Sequence, residues 1–418
     1  DLVLAAAEFH DKQVDPVGML TVIEKGRANG LDFQSHELLD AHARASLKAG
    51  RLDEARESII AAIAAGGQPN QLRSRDFTLG RIEDRRGAHR DAFTAFMAGN
   101  SQLEAIWEDN GPCDHTMPLR RLESLLGRLD KEIAEGGSVP FPPDQPDRAP
   151  EQTVRLAFLV RFPRSGTTLL DTILRSHSST EIVEERPVLI DALRSAEPGI
   201  AGDETNFTED WLDRIHAAPS EILRNHYLAR LANEVGTSLS SQTTYIDKLP
   251  LNMNWAPLIH RVFPDAVFIL ARRHPFDVAI SNLFQDFSPN NAMMNMTRLE
   301  RIDALYDLSF TLWERFAGWR KPRIAEVRYE ALVSDLESTV APVMDALGLE
   351  WEAAQSRFFE TARQRGRINT PSAQQVIRPL YSTSRERWRN YAFALEGDDT
   401  DRLRSWAGRA GYSTSAGE

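Results

Sequence analysis

The first 135 residues alternate apolar and polar positions with the period of a helix. Residues 38–49, LLDAHARASLKA, put Leu39, Ala43 and Leu47 on one face; Gly50 ends the run, and LDEARESIIAAIAAG begins another. A second pair follows, with FTLGRIEDRRG closing at Gly87 and HRDAFTAFMAGN reopening the pattern. Ala55 and Ala92 occupy equivalent places, 37 residues apart, close to the ~34 residues of a helix-turn-helix repeat. The small residue lets paired helices approach closely, and each glycine permits a tight turn between them. Further helices are expected over 16–28 and 118–135. Units of this kind stack, because none buries its apolar face alone. Residues 1–136 are therefore read as a helical repeat domain.

Residues 137–150, GSVPFPPDQPDRAP, hold five prolines and no helical period, and are read as a linker or strap. From 151 onward β-rich runs alternate with helical ones. VRLAFLV (154–160), TTYIDKL (243–249), AVFILARR (266–273) and IAEVRYEAL (324–332) contribute strands. TTLLDTILRSH, DVAISNLFQDF (277–287) and STVAPVMDALGL contribute helices. Successive strand-to-helix crossovers predict an α/β domain over 151–418, with a mainly parallel sheet covered on both faces. Ligands of such a sheet gather beyond the C-terminal ends of its strands.

Composition narrows the function. Sixty-one acidic against 49 basic residues give a net charge of −12, which argues against a nucleic-acid partner while leaving room for a local basic pocket. A lone cysteine, Cys113, precludes an intrachain disulfide and fits a reducing compartment. No apolar run is long enough to cross a bilayer, and the opening DLVLAAAEFHDK does not read as a signal peptide. A cytoplasmic location is expected, and the missing initiator Met leaves room for an upstream segment.

The most informative stretch is FLVRFPRSGTTLLDTIL, 158–174. A strand ends near Val160, Arg164 and Ser165 precede Gly166, and Thr167 and Thr168 open a helix. Free N–H groups at a helix start, hydroxyl donors and a guanidinium together suit phosphate or sulfate. The plainer alternative is an ordinary Ser/Thr helix cap. The loop is not a standard nucleotide-triphosphate loop: aligned on Gly166, that pattern requires glycine at Arg161 and lysine at Thr167. In RRHPFDVAIS, Arg273 ends a strand and Ser281 lies eight residues later on the next helix, so a turn at Pro275 brings both towards one phosphate. Arg272 is an alternative anion contact, and Asp277 is read as a helix-cap acid.

RFPRSGTTLL (161–170) and ARRHPFDVAIS (271–281) resemble the 5′-phosphosulfate and 3′-phosphate motifs of sulfotransferases that use 3′-phosphoadenosine 5′-phosphosulfate (PAPS). The resemblance spans about 150–395, and the N-terminal repeats resemble the tetratricopeptide-like repeats of bacterial repeat-containing members. It implies a P-loop-like fold, sulfuryl transfer from PAPS to an acceptor hydroxyl, adenosine 3′,5′-bisphosphate (PAP) as product, and no essential metal. A carboxylate base is then sought, and Glu184 and Glu185 follow the first phosphate-binding helix. Resemblance to tyrosylprotein sulfotransferases puts the base at Glu185, although Arg186 and Pro187 replace the threonine and arginine that follow the acid pair there. His177 is a rival base or a helix cap. The resemblance assigns Lys248 to the transferring sulfuryl group and the departing phosphate oxygen, with a salt bridge to Asp247 as the plainer reading, and Arg164 is expected to join Lys248 in stabilising the developing charge. It also assigns Tyr329 to the nucleotide, and Ser372 and Arg378 to closure over it. Trp388 and Tyr391 are read as packing aromatics, with ligand stacking as the alternative. The acceptor is a peptide tyrosine, a phenol or a sugar; the repeats are left to a protein partner or self-association. Two other functions remain open at this point: a metal-dependent nucleotide phosphotransferase, and a non-catalytic interaction protein.

Overall fold

The computed structural model describes residues 2–12, 15–30, 35–110, 114–135, 154–196, 213–215, 217–364 and 385–415. The linker expected at 137–150 lies outside them. Seven helices come first: α1 (Leu2–Lys12), α2 (Pro16–Ala28), α3 (His36–Ala49), α4 (Leu52–Ala64), α5 (Pro69–Arg85), α6 (His89–Asn110) and α7 (Met117–Ala134). The repeat signature has its expected physical basis. Ala55 and Ala92 are fully buried, and Gly50 and Gly87 turn the chain at φ 79° and 78°, where a side chain is strained.

Five strands form one parallel sheet in the order β2-β3-β1-β4-β5. They are β1 (Arg155–Arg161), β2 (Thr180–Glu184), β3 (Thr244–Lys248), β4 (Val267–Arg272) and β5 (Arg323–Arg328). β2 is not among the elements the hydrophobic pattern predicts. Its sequence TEIVE is short, carries two glutamates, and occupies a sheet edge. The helix expected over 277–287 runs instead from Pro275 to Leu283; the proline supplies the first-turn φ that a helix needs.

Strand alternation sorts the core into two layers. Phe158, Val160, Phe268 and Leu270 face one side. Ala157, Leu159, Ile269 and Ala271 face the other, where they meet Leu170, Ile173 and Leu174 of α8 (Thr167–Arg175). The first layer also takes in Phe77, Ala92, Phe96, Leu122 and Leu129 of the N-terminal helices. Phe96 stacks on Phe284 at 4.0 Å between centroids, and Asn100 Nδ2 donates to the Leu283 carbonyl at 3.0 Å, closing the end of helix α9 (Pro275–Leu283). Asp84 of α5 accepts hydrogen bonds from Arg387 Nη2 (2.6 Å) and from the Tyr391 hydroxyl.

Candidate active site

All five strands run the same way, so their C-terminal ends form one edge, and the sheet order dictates which side chains meet there. From β2 to β5 that edge carries Glu184 and Glu185, then Lys248, then Arg161 and the loop after β1, then Arg272 and Arg273, then Tyr329. Segments far apart in the chain become neighbours because β1 lies between β3 and β4.

The loop after β1 is held in a specific shape. Arg164 and Gly166 both have left-handed backbones, with φ 70° and 85°. A Cβ on Gly166 would overlap Cδ2 of Tyr329 and lie 2.9 Å from its Cε2, so glycine is needed for packing as well as for φ. Ser165 Oγ donates to the Phe162 carbonyl at 2.7 Å, and Asn282 Nδ2 donates to the Pro163 carbonyl at 3.0 Å. Thr167 and Thr168 open α8 and are buried, and the Thr167 hydroxyl has no hydrogen-bond partner among the described residues. A buried orphan donor at a helix start is what an absent anion would leave.

The two segments that sequence reasoning treated separately meet on Arg164. Its Nε donates to Ser281 Oγ at 3.2 Å, and Arg273 Nη1 donates to its carbonyl at 3.2 Å. Arg273 also lies 4.9 Å from the centre of the Tyr329 ring. Burial, followed by repulsion from Arg161 and Arg273, pushes the Arg164 guanidinium down to about 10. Among the described residues Arg164 makes no ion pair, so the loop carries a cation with no carboxylate against it.

At the other end of the edge, Lys248 is fully buried and heavily committed. Its Nζ donates to Glu184 Oε1 at 2.7 Å and to Asp171 Oδ2 at 3.1 Å, with Glu185 Oε1 at 3.8 Å. The alternative pairing with Asp247 does not occur, because adjacent residues of a strand face opposite sides of the sheet. Asp247 instead accepts from the Tyr227 hydroxyl at 2.8 Å and from Asn252 Nδ2 at 3.3 Å, and burial pushes its carboxyl up to about 7. Glu185 lies just past β2 with φ 52°, and its N–H donates to the Lys248 carbonyl at 2.8 Å. Its side chain is exposed, unlike that of Glu184, and Oε1 lies 3.6 Å from Arg161 Nη2.

Several other readings take definite positions. His177 lies beyond the far end of α8. Its Nε2 donates to the Glu350 carbonyl at 2.9 Å and its Nδ1 accepts from the Ser179 N–H at 3.0 Å, so both ring nitrogens are occupied. Arg272 pairs with Glu326 at 2.9 Å, away from the loop. Asp277 does not cap its helix: the His274 ring does, accepting from the Phe276 N–H. Asp277 accepts the N–H groups of Glu386 (2.9 Å) and Trp388 (2.8 Å). Trp388 and Tyr391 are buried among aromatic neighbours. Ser372 and Arg378 lie outside the described residues. Arg161, Asp171 and Asn282 join the site without having been singled out in sequence. Their available signals are a charge ending an apolar strand, an acid on the apolar face of TTLLDTIL, and an amide one residue after Ser281. Among the described residues no group of three or more His, Cys, Asp or Glu is arranged to hold a metal ion, and no helix is long and apolar enough to cross a membrane.

Residues 157–353, which take in β1 from Ala157 onward, β2 to β5 and the loop after β1, fit the sequence model of the Sulfotransferase family. Over this segment the chain is similar to that family. The chain is also similar to an uncharacterized protein of Aquifex aeolicus (strain VF5), 25% identical over 334 residues that cover 77% of this chain; the match spans only 40% of that longer relative. Among solved structures it is similar to the sulfotransferase domain of the Synechococcus PCC 7002 olefin synthase, with 20% identity, 64% of this chain and 98% of that one covered, and a TM-score of 0.43. The sulfotransferase domain from the curacin biosynthetic pathway gives 17% identity, 63% and 99% coverage, and a TM-score of 0.43.

Proposed function

We propose that the protein transfers a sulfuryl group from PAPS to an acceptor hydroxyl and releases PAP. The observation that carries this reading is the convergence of both phosphate segments on Arg164, through Ser281 and Arg273. The residues present fit the donor: Gly166 lets the loop pack closely on Tyr329, and Thr167 holds a buried hydroxyl with no partner among the described residues. Ser165, Gly166, Thr167, Thr168 and Arg164 would hold the 5′-phosphosulfate end, with Arg273 and Ser281 at the 3′-phosphate and Tyr329 beside the nucleotide. PAPS supplies the activated sulfuryl group. The chain's own residues supply position and charge.

Glu185 accepts the acceptor's proton; its exposed carboxylate stands at the edge where an acceptor enters. Lys248, behind it, offsets charge on the departing phosphate oxygen, with Glu184 and Asp171 fixing the ammonium in place. Donor chemistry of this kind requires no metal, and the loop has no lysine for a γ-phosphate. The acceptor is a peptide tyrosine, a phenol or a sugar hydroxyl. The tetratricopeptide-like helices serve a protein partner or self-association, and the setting is cytoplasmic. Calorimetric titration with PAP in metal-free buffer, against ATP with and without Mg²⁺, tests the reading. PAP binding without metal and in preference to ATP is expected. Binding of ATP alone, with Mg²⁺, would replace this reading with phosphoryl transfer.

A further inference from the structure

Arg161 is the last residue of β1, where a standard phosphate loop has glycine, and its guanidinium turns into the site. Its side chain is only 8% exposed, yet among the described residues no hydrogen bond satisfies it: Nε has no partner there, and the nearest carboxylate oxygen, Glu185 Oε1, is 3.6 Å from Nη2. Lys248 next door is different, with two carboxylates within hydrogen-bonding distance. Burial pushes Arg161 down to about 10 in spite of the nearby Glu185, Asp171 and Glu184. A buried guanidinium with unused donors matches the geometry of a planar or tetrahedral oxyanion.

Its place along the edge identifies the anion. Arg273 and Ser281 flank Arg164 on one side. Arg161 flanks the same loop on the Glu185 side, between the phosphate loop and the candidate base. A sulfuryl group passing from the 5′-phosphate to an acceptor at Glu185 crosses that interval. We propose that Arg161 is a further catalytic residue that donates hydrogen bonds to the oxygens of the transferring sulfuryl group. This rests on the sulfotransferase reading above. In the step it serves, the acceptor oxygen forms a bond to sulfur while the bond from sulfur to the bridging phosphate oxygen breaks. That electron pair stays on the phosphate of PAP, and the acceptor's proton goes to Glu185. Arg161 keeps its own proton throughout and screens charge on the non-bridging oxygens.

PAP lacks the sulfuryl group, so comparing it with PAPS isolates this contact without an acceptor. Each nucleotide is titrated calorimetrically into the full chain and into the Arg161→Gln and Arg161→Lys variants. For Arg161→Gln, PAP affinity stays within about twofold of the parent while PAPS affinity falls about tenfold, the effect of one charge-assisted hydrogen-bond donor. Arg161→Lys keeps the charge and loses the fork, so its PAPS affinity falls less; it carries the test if the glutamine variant does not fold. Equal loss for both nucleotides would make Arg161 a phosphate ligand and overturn the proposal, as would no loss for either. A parent protein that binds neither nucleotide would instead overturn the sulfotransferase reading on which the proposal stands.

Discussion

Replacing Lys248 with methionine removes the cation that two buried carboxylates share. Asp171 is 1% exposed and Glu184 11%, and both hydrogen-bond the same ammonium. Methionine fills a similar volume, so the cost is electrostatic and not a cavity: Glu184 and Asp171 both lose the ammonium they share in a nearly dry site, while Asp171 keeps Arg175, whose Nε lies 3.2 Å from Oδ1. Breaking a buried pair from one side costs about 3–5 kcal/mol, a large part of a native stability of roughly 5–15 kcal/mol. Urea unfolding at neutral pH measures it. The triple variant Lys248→Met, Asp171→Asn, Glu184→Gln removes the stranded charges as well, and is expected to recover about half the loss or more. Turnover is read separately: on the role proposed for Lys248, the triple variant stays inactive although its fold is restored. A single variant that loses less than about 1 kcal/mol, or a triple variant with no recovery, would refute the charge argument. A triple variant that regains turnover would remove Lys248 from the chemistry.

Gly166→Ala combines a positive φ with overlap against Tyr329, so it is expected to cost about 2–5 kcal/mol and abolish PAP binding, with Tyr329→Leu in the same chain relieving only the overlap; thermal melts with and without PAP distinguish the two contributions. Asp247 has a folded pKa of about 7 against the ordinary 3.8, so the folded state binds the extra proton, and this group's effect on stability is lost as pH rises from about 4 through 7. Asp247→Asn removes that dependence, and its stability relative to the parent rises by about 2–3 kcal/mol between pH 5 and 8, measured by urea unfolding; a flat difference would show that the carboxyl is not titrating there. Asp84→Ala leaves Arg387 and the Tyr391 hydroxyl without this partner and is expected to cost about 2–3 kcal/mol; a loss below about 0.5 kcal/mol would show that the contact is not kept in solution.

What was legible in the sequence is what is local. The anion loop lies within nine residues of one strand end, and Arg273 and Ser281 within one turn and one helix, so residue order alone placed each set. Gly50 and Gly87, with Ala55 and Ala92, marked the helical hairpins for the same reason. What was not legible depends on which strand lies beside which. The Lys248 partners come from α8 and the end of β2, 77 and 64 residues away in sequence, and only the order β2-β3-β1 makes them neighbours. Asp247 looked like the closer partner by number, but the period of two that turns Lys248 into the site turns Asp247 out of it. Arg161 was hidden differently: read as a residue that fails a glycine pattern, it gave no sign of where its side chain goes.

The helical region is not uniform in its relation to the sheet, and this bears on what it does. Phe77, Phe96, Leu122 and Leu129 belong to the same buried cluster as the strand residues Phe158 and Phe268. Asn100 closes the helix that bears Ser281, and Asp84 holds the segment whose backbone Asp277 also binds. Helices α5 to α7 are thus part of the wall behind the segment that carries Arg273 and Ser281, and loss of their side chains would disturb both through packing. Ala43, Leu47, Ala55 and Ile59 of α3 and α4 form a separate small cluster that meets this wall through Ile82 of α5, and α1 and α2 pack on α3 through another. Among the described residues, α5 is the helix that belongs to both the outer hairpin's apolar cluster and the core behind the loop after β1, so it is the packed route by which a load on the outer helices reaches that loop.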